Sequence, residues 1–316
     1  MRVLFFGMIF LVAACIPMQA LIIYDGGITE TSYNTTPEGM PSYEDFEGNT
    51  LATFWNSVVT ICQPGQTYDA SAVYLGNGYF LTASHVNSVK VEQEIKINGI
   101  TYTLSTDFGN GGILEVSDLP EIVGSVDLKI FRVLDAPDLP AVKLNLSSND
   151  LNRESYLIGA GRGKGTATTE QGLGWTWGND STRQKRWGVS KTDSQAYDIS
   201  VGNYSGQYIL TPFWTGYGNN VAQATLGDSG GGLFQYINGE WVLSGIITNV
   251  SRANSAYYYG EDNSGNPDFT MSVRISNYAE AIMTAIAPIP EPKSWLLFAM
   301  GIGTIAVFFR KKTLPA

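Results

Sequence analysis

From residue 51 onward, short apolar or β-branched runs alternate with clusters of turn residues. In the first half this pattern predicts strands at 57–62, 72–75, 79–82, 94–97, 113–116 and 128–133. A break rich in Pro, Ser, Asn and Asp at 135–150 ends this set. Short strands at such intervals are typical of a β-sandwich or a β-barrel.

A second set of strands is predicted at 155–159, 197–201, 208–213, 232–236 and 240–247. Between the first two of them lies a stretch rich in Gly, Thr and Trp, 161–188, which we expect to be a long functional or mobile loop with a solvated basic end at 183–186. Residues 276–287 instead predict a helix that closes the globular part. The helical spacing places four side chains on one face and a candidate N-cap before them: Tyr278, Ala281, Ile282, Ile286 and Ser276.

The N-terminal region has the features of an export signal. Residues 1–20 combine a positive charge at Arg2, an apolar run at 3–14 and a small residue at Ala20, which predicts a secretory signal peptide. Cys15 ends a stretch similar to a bacterial lipoprotein cleavage box, so lipidation at Cys15 is the alternative to cleavage at Ala20. Residues 21–50 lack periodicity and are interpreted as a leader, a propeptide or a strap over the domain surface.

The C-terminal region, 288–316, predicts a membrane tail. A Pro-rich spacer at 288–292 is followed by fifteen apolar or small residues at 295–309 and by basic residues at 310–312. As a helix this run spans about 22 Å, short of the roughly 30 Å hydrocarbon core, and snorkelling of the flanking cations extends its reach. The basic end predicts a cytoplasmic C-terminus with the domain outside.

Composition narrows the possible functions. The chain has 316 residues and a formal net charge of −10, which argues against nucleic acid as a partner because phosphate binding needs clustered Lys and Arg. Charged residues make up only 15%, which suits an all-β protein outside the cytoplasm. The only cysteines are Cys15 and Cys62, and because Cys15 lies in the predicted leader, the mature chain has no disulfide framework.

The stretch 224–234 carries the main chemical signal. Ser229 lies among glycines, after Asp228 and before an apolar run. Glycine permits backbone conformations closed to other residues, so the amides of Gly227 and Ser229 are expected to point into one small space. Two such donors beside a hydroxyl suit acyl transfer, because charge develops on the carbonyl oxygen in the transition state.

Two further residues fit this chemistry. His85 is the only histidine in the chain, so a metal site with several histidines is impossible and a general base of the usual kind must be His85. Asp127 stands at the start of a predicted strand, where an ordinary turn residue is the alternative interpretation. Its carboxylate can accept the second imidazole N–H and hold His85 in the productive tautomer.

Five motifs stand in a fixed order along the chain. Thr-Ala-Ser-His, Val-Asp-Leu-Lys-Ile, Gly-Asp-Ser-Gly-Gly-Gly, Trp-Val-Leu-Ser-Gly-Ile-Ile and Val-Arg-Ile-Ser-Asn-Tyr resemble the signatures of the trypsin/chymotrypsin-like serine peptidases over about residues 50–287. The resemblance implies an all-β fold with two six-stranded antiparallel β-barrels of the chymotrypsin type and a C-terminal α-helix. The first barrel, 51–145, is expected to carry His85 and Asp127, and the second, 146–287, to carry Ser229.

By this resemblance the protein is a serine endopeptidase that needs neither cofactor nor metal. Ser229 attacks the peptide carbonyl, His85 takes and returns the proton, and Asp127 orients the imidazole. The amides of Gly227 and Ser229 form the oxyanion hole. The substrate pocket is expected at Gln223, Thr248, Asn249 and Asp268.

The chain departs from the family at three points. Val86 stands where animal members usually have Cys, and Gly232 replaces the usual Pro. An Ile-Val-Gly-Gly activation sequence is missing. In activated members a new N-terminal amine pairs with the Asp before the nucleophile, so Asp228 needs another partner or an amine freed by cleavage within 21–50.

The tail carries a second resemblance. Its Pro-Glu-Pro, apolar run and basic end resemble the PEP-CTERM sorting signals of Gram-negative bacteria. This implies transient anchoring in the inner membrane, processing by an exosortase-type enzyme, and a final location in the cell envelope or outside the cell. A protein or peptide substrate is the other expected partner. A catalytically silent binding protein or a surface-matrix protein on the same fold is the alternative function.

Overall fold

The computed structural model describes residues 21–24, 34–67, 69–90, 93–169, 173–260 and 267–287. The chain divides into two units, 1–282 and 283–316, and of the second only 283–287 are described. The predicted signal peptide at 1–20 and the predicted spacer and tail at 288–316 lie outside the described residues. Within them, no helix is long and apolar enough to cross a membrane.

The described residues are mostly β-structure. The first strands are β1 (Ile22–Tyr24), β2 (Val58–Cys62), β3 (Ala70–Gly76), β4 (Tyr79–Thr82), β5 (Glu94–Ile97), β6 (Ile100–Thr103), β7 (Ile113–Glu115) and β8 (Lys129–Arg132). The later strands are β9 (Glu154–Gly159), β10 (Lys164–Thr168), β11 (Gly174–Trp177), β12 (Arg186–Lys191), β13 (Tyr197–Val201), β14 (Tyr204–Pro212), β15 (Val221–Gln223), β16 (Gly232–Ile237), β17 (Glu240–Val250), β18 (Ser255–Tyr257) and β19 (Phe269–Arg274). The α-helix is α1 (Ala279–Ile286), and short 3-10 helices lie at Leu51–Trp55, Val116–Asp118, Asp180–Thr182, Thr215–Tyr217 and Ile275–Asn277.

The first sheet is an antiparallel barrel. Its strand order is β6-β5-β2-β3-β4-β8-β7. The ends of β6 and β8 meet through a bridge between Leu104 and Val133, so six strands form a ring and β7 is added beside β8. Alternate side chains of these strands point inward, and the stacked rings of Phe80 and Phe131, 5.1 Å apart, lie in the core.

The second sheet has the order β1-β15-β12-β9-β16-β17-β19-β14-β13. Its pairs are antiparallel except for the pair of β12 and β15. The N–H of Asp193, just after β12, donates to Leu210 O in β14 at 2.9 Å, which again joins six strands into a ring. Leu157, Ile209 and Leu233 belong to its buried core.

The fold class is the predicted one, an all-β fold of the chymotrypsin type with two curled sheets and a C-terminal α-helix. The sheets contain seven and nine strands rather than the predicted six each. The additional strands are β7 in the first sheet and β1, β15 and β13 in the second, which pair at the outside of the rings. The helix begins at Ala279 instead of 276, because the chain first makes the 3-10 turn Ile275–Asn277.

The stretch 161–188 is not the long loop that its composition predicts. It contains the hairpin β10–β11, which pairs with β18 in a separate three-stranded sheet. Its Gly- and Thr-rich strands lack the apolar runs by which the other strands are predicted. Its basic end is not solvated either, since Arg186 is only 2% exposed and Lys185 Nζ donates to Trp55 O and Val58 O of the first barrel.

The described parts of 21–50 pack on the second barrel. Leu21, just before β1, and Ile22 in β1 are buried, and Ile22 pairs with Gln223 of β15. Farther along, the indole N–H of Trp187 donates to Thr36 O at 2.9 Å. These residues therefore form a strap on the barrel that carries Ser229.

Candidate active site

The structure brings His85, Asp127 and Ser229 into one hydrogen-bonded chain. His85 Nδ1 lies 2.7 Å from Asp127 Oδ2, and His85 Nε2 lies 2.9 Å from Ser229 Oγ. The backbone N–H of His85 also donates to Asp127 Oδ1 at 2.9 Å. Because the carboxylate is 1% exposed and the imidazole 37% exposed, the aspartate is shielded while the imidazole edge reaches the cleft. With the proton on Nδ1, the Nε2 lone pair accepts the hydroxyl proton of Ser229.

Two side chains that sequence analysis missed anchor the turn of His85. Ser84 Oγ donates to Glu115, and Lys129 Nζ donates to Val86 O at 2.6 Å. Glu115 of β7 lies opposite Lys129 of β8. Burial raises the pKa of Glu115 and lowers the pKa of Lys129. Lys129 begins β8 two residues after Asp127, and this closeness in sequence was the available signal.

The turn of Ser229 is docked on the first barrel. The N–H of Ser71 in β3 donates to Ser229 O at 2.8 Å, and Ser71 Oγ donates to Gly227 O at 3.3 Å. Gly230 has φ +84° and its Cα lies against Ser71 O so closely that a Cβ would come within 1.9 Å. This contact between the barrels sets the position of Ser229 relative to His85.

The amides of Gly227 and Ser229 have no hydrogen-bond acceptor among the described residues. The carbonyl of Leu226 accepts the N–H of Arg162 at 2.9 Å. Because N–H and C=O point in opposite directions across a trans peptide, this bond turns the Gly227 N–H away from Arg162. The orientation comes from a loop 64 positions earlier in the sequence.

Asp228 finds its partners inside the second barrel. Its Oδ1 accepts the N–H of Gly161 at 2.7 Å, and its Oδ2 accepts the N–H of Thr225 at 2.8 Å and the Thr225 hydroxyl at 3.1 Å. Burial raises the pKa of Asp228 to about 6, although these hydrogen bonds and the charge of Arg186 oppose the rise. A Cβ at Gly161 would lie 2.7 Å from the carboxyl carbon, so only glycine permits this approach. The described structure thus holds Asp228 without an N-terminal amine.

A cavity of about 280 Å³ opens beside the hydroxyl of Ser229 and the imidazole of His85. Of the four predicted pocket residues, Thr248 and Asn249 line it. Gln223 and Asp268 are not among the residues that line it. Gln223 is buried in β15 against β1, and Asp268 faces Ser251, Arg252 and Tyr257. The remaining lining residues are Trp177, Ala224, Thr225, Leu226, Ile247, Val250 and Ala253.

Within the described ranges, no three His, Cys, Asp or Glu side chains are grouped so that they could hold a metal ion. The groups that the structure places at the site are a hydroxyl, an imidazole, a carboxylate and two backbone amides.

No protein-family model matches the chain, and no curated protein matches its sequence. Among solved structures it is similar to the active form of the Rv3671c protease from M. tuberculosis, with TM-score 0.45 and 14% identity over 75% of this chain and 83% of that chain. It is also similar to the inactive form of the Rv3671c protease, with TM-score 0.45 and 13% identity over 75% and 92%. A third similar structure is the HtrA-type protease AlgW with a decapeptide, with TM-score 0.47 and 15% identity over 75% and 66%.

Proposed function

We propose that this chain is a serine endopeptidase that cleaves peptide bonds through Ser229, His85 and Asp127. The observation that carries the proposal is the hydrogen-bonded chain from Asp127 Oδ2 to His85 Nδ1 and from His85 Nε2 to Ser229 Oγ, with distances of 2.7 and 2.9 Å. A nucleophile in hydrogen-bond contact with a base that a third group orients is the arrangement required for covalent acyl transfer.

In the first half of the reaction, Ser229 Oγ bonds to the carbonyl carbon of the substrate while its proton passes to His85 Nε2. The carbonyl electron pair moves onto the oxygen, where the N–H groups of Gly227 and Ser229 stabilise the negative charge. Asp127 stabilises the imidazolium that forms. The C–N bond then breaks, and the amine leaves with the proton from Nε2.

In the second half, water enters beside the partly exposed imidazole. His85 Nε2 takes a proton from the water as its oxygen bonds to the acyl carbon. Collapse of the second tetrahedral intermediate breaks the ester bond and returns the proton to Ser229 Oγ, which releases the acid and restores the enzyme.

Labelling with a fluorophosphonate tests the proposal directly. The probe should modify Ser229, as seen by peptide mass spectrometry, and peptide hydrolysis should fall by up to about a million-fold in Ser229→Ala or His85→Ala. Ser181→Ala is the matched control, because Ser181 is an exposed serine outside the cavity. A folded chain in which Ser229 stays unlabelled and no peptide is hydrolysed would show that the proposal is wrong.

We also propose that the protein is exported and that an exosortase-type enzyme releases it from the inner membrane. The support is the order of charge and apolar residues at 1–20 and the Pro-Glu-Pro, apolar and basic sequence of the tail. Cleavage after Ala20 leaves β1 intact, since Leu21 is already buried in the second barrel. Mass spectrometry of both termini of the mature protein measures the outcome. A cytoplasmic protein that retains 1–20 and 288–316 would contradict it.

A further inference from the structure

We infer that the enzyme prefers substrates with an uncharged, apolar side chain at P1, the residue that supplies the carbonyl of the cleaved bond. This inference rests on the proposed function. It names the substrate class of the same site, which the sequence resemblance left open.

The position of the cavity relative to Ser229 assigns it to the P1 side chain. Ser229 and His85 line the cavity together with the segment 224–226 and residues 247–250 at the end of β17. A substrate residue whose carbonyl carbon lies within reach of Ser229 Oγ therefore has its side chain at the cavity. The cavity volume of about 280 Å³ leaves room for a side chain there.

The backbone next to the cavity supports the same placement. β16 begins at Gly232, which pairs with Ile246, so β17 runs past the end of β16. In the part of the chain that the structure describes, Asn249 and Val250 pair with a strand only on the side of β19. An extended substrate can add to the other edge by backbone hydrogen bonds, with alternate side chains facing the protein.

The lining explains the preference for an apolar group. Among the described residues, the walls are Ala224, Ile247, Val250, Ala253 and Trp177, and the polar groups are the hydroxyls of Thr225 and Thr248 and the amide of Asn249. Apart from His85 itself, no ionisable side chain of the described residues lines the cavity. A charged P1 side chain would lose its hydration without gaining a partner of opposite charge.

Asp268, the carboxylate that the sequence resemblance places at the substrate pocket, already has hydrogen-bond and ion-pair partners. Asp268 is 4% exposed, and its Oδ1 accepts the Ser251 hydroxyl at 2.9 Å. Its Oδ2 accepts the N–H of Tyr257 at 2.9 Å and lies 3.3 Å from Arg252 Nε. Because its charge is balanced by Arg252 and it does not line the cavity, Asp268 does not select a P1 Lys or Arg.

A panel of fluorogenic peptides that differ only at P1 tests the inference. Ala, Val, Leu and Phe represent apolar residues, and Lys, Arg, Asp and Glu represent charged ones. We expect the kcat/KM of the best apolar substrate to exceed that of every charged substrate by about 100-fold or more, since a buried unpaired charge is expensive. A charged substrate cleaved as fast as the apolar ones would overturn the inference.

A designed variant tests the assignment of the cavity itself. Ala253 lies on the lining and is exposed, so Ala253→Asp adds a carboxylate without disturbing the core. It should raise kcat/KM for P1 Lys by roughly tenfold or more, while the isosteric control Ala253→Asn should not. If Ala253→Asp leaves the Lys substrate unchanged, this cavity is not the P1 subsite.

The two proposals fail in different ways. If only the P1 inference is wrong, the fluorophosphonate still labels Ser229 and the panel is hydrolysed with another preference. If the proposed function is wrong, Ser229 is unlabelled and every peptide of the panel stays intact.

Discussion

Gly230→Ala tests whether the contact between the two barrels sets the geometry of the site. Gly230 follows Ser229 directly, and its φ of +84° disfavours a side chain. A Cβ at this position would lie 1.9 Å from Ser71 O and 2.2 Å from Thr82 Oγ1. Both atoms belong to the first barrel, which also carries His85, so the added methyl group pushes Ser229 away from His85.

The size of the effect follows from these distances. An ordinary contact begins at 3.4 Å, so the turn and Ser71 must separate by about 1.5 Å. A misplacement of about 1 Å at a reacting group can lower a rate by about 100-fold, so we expect kcat to fall by at least that factor. Positive φ and overpacking together should lower the free energy of unfolding by about 2–4 kcal/mol.

The assay compares Gly230→Ala with Gly48→Ala. Gly48 has nearly the same φ, +80°, but no atom lies within 4 Å of its Cβ position. The control therefore has the backbone cost of about 1 kcal/mol without the clash, and its kcat should stay near that of the wild type. Both kcat and the rate of fluorophosphonate labelling are measured on variants shown to be folded by circular dichroism. If Gly230→Ala keeps the activity of Gly48→Ala, the barrel contact does not control the site.

Two further predictions concern stability, measured by denaturant unfolding in a Ser229→Ala background that prevents self-digestion. Burial raises the pKa of Asp228 from 3.8 to about 6, so its carboxyl group binds a proton more tightly in the folded protein than in the unfolded chain. The resulting stabilisation of the fold is complete below pH 3.8 and is lost as the pH rises through 6. The loss is about 3 kcal/mol, so the free energy of unfolding should fall more steeply between about pH 4 and 7 in the protein with Asp228 than in the Asp228→Asn variant. Parallel pH profiles of the two proteins would contradict the raised pKa. Ile22→Ala should lower the free energy of unfolding by roughly 2–5 kcal/mol because Ile22 is fully buried in β1, whereas Ile100→Ala at a 61% exposed position should have little effect. An equal, small effect of both substitutions would show that 21–24 is not part of the folded barrel.

Much of the fold was accessible from the chain because its determinants are local. Short apolar runs bounded by turn residues predict β3, β4, β8, β16 and β17 within a few positions, since both the runs and the turns are local features of the sequence. The hairpin β10–β11 escaped prediction because its Gly- and Thr-rich strands lack such runs. It pairs with β18, about 80 residues later, and only this distant partner makes it a sheet.

The residue types of the candidate site were also readable from the chain. His85 is the only histidine, and Ser229 stands in a run of glycines, so local composition singles out both. The distance of 2.9 Å between His85 Nε2 and Ser229 Oγ was not predictable in this way, because the two residues lie on different barrels. The hydrogen bond between Ser71 and the Ser229 turn sets this distance.

What surrounds these residues was decided by tertiary structure alone. Asp228 is held by the amide of Gly161, and the peptide before Gly227 is oriented by the amide of Arg162, yet backbone donors leave no pattern in the side-chain sequence. The residues that line the pocket also depend on contacts between distant segments. The family resemblance pointed to Gln223 and Asp268, but Gln223 is buried where it pairs with β1, and Arg252 balances the charge of Asp268. The sequence by itself determined which groups can react. The packing of distant segments determined which amides, carboxylates and apolar walls face them, because those contacts depend on burial and not on local spacing.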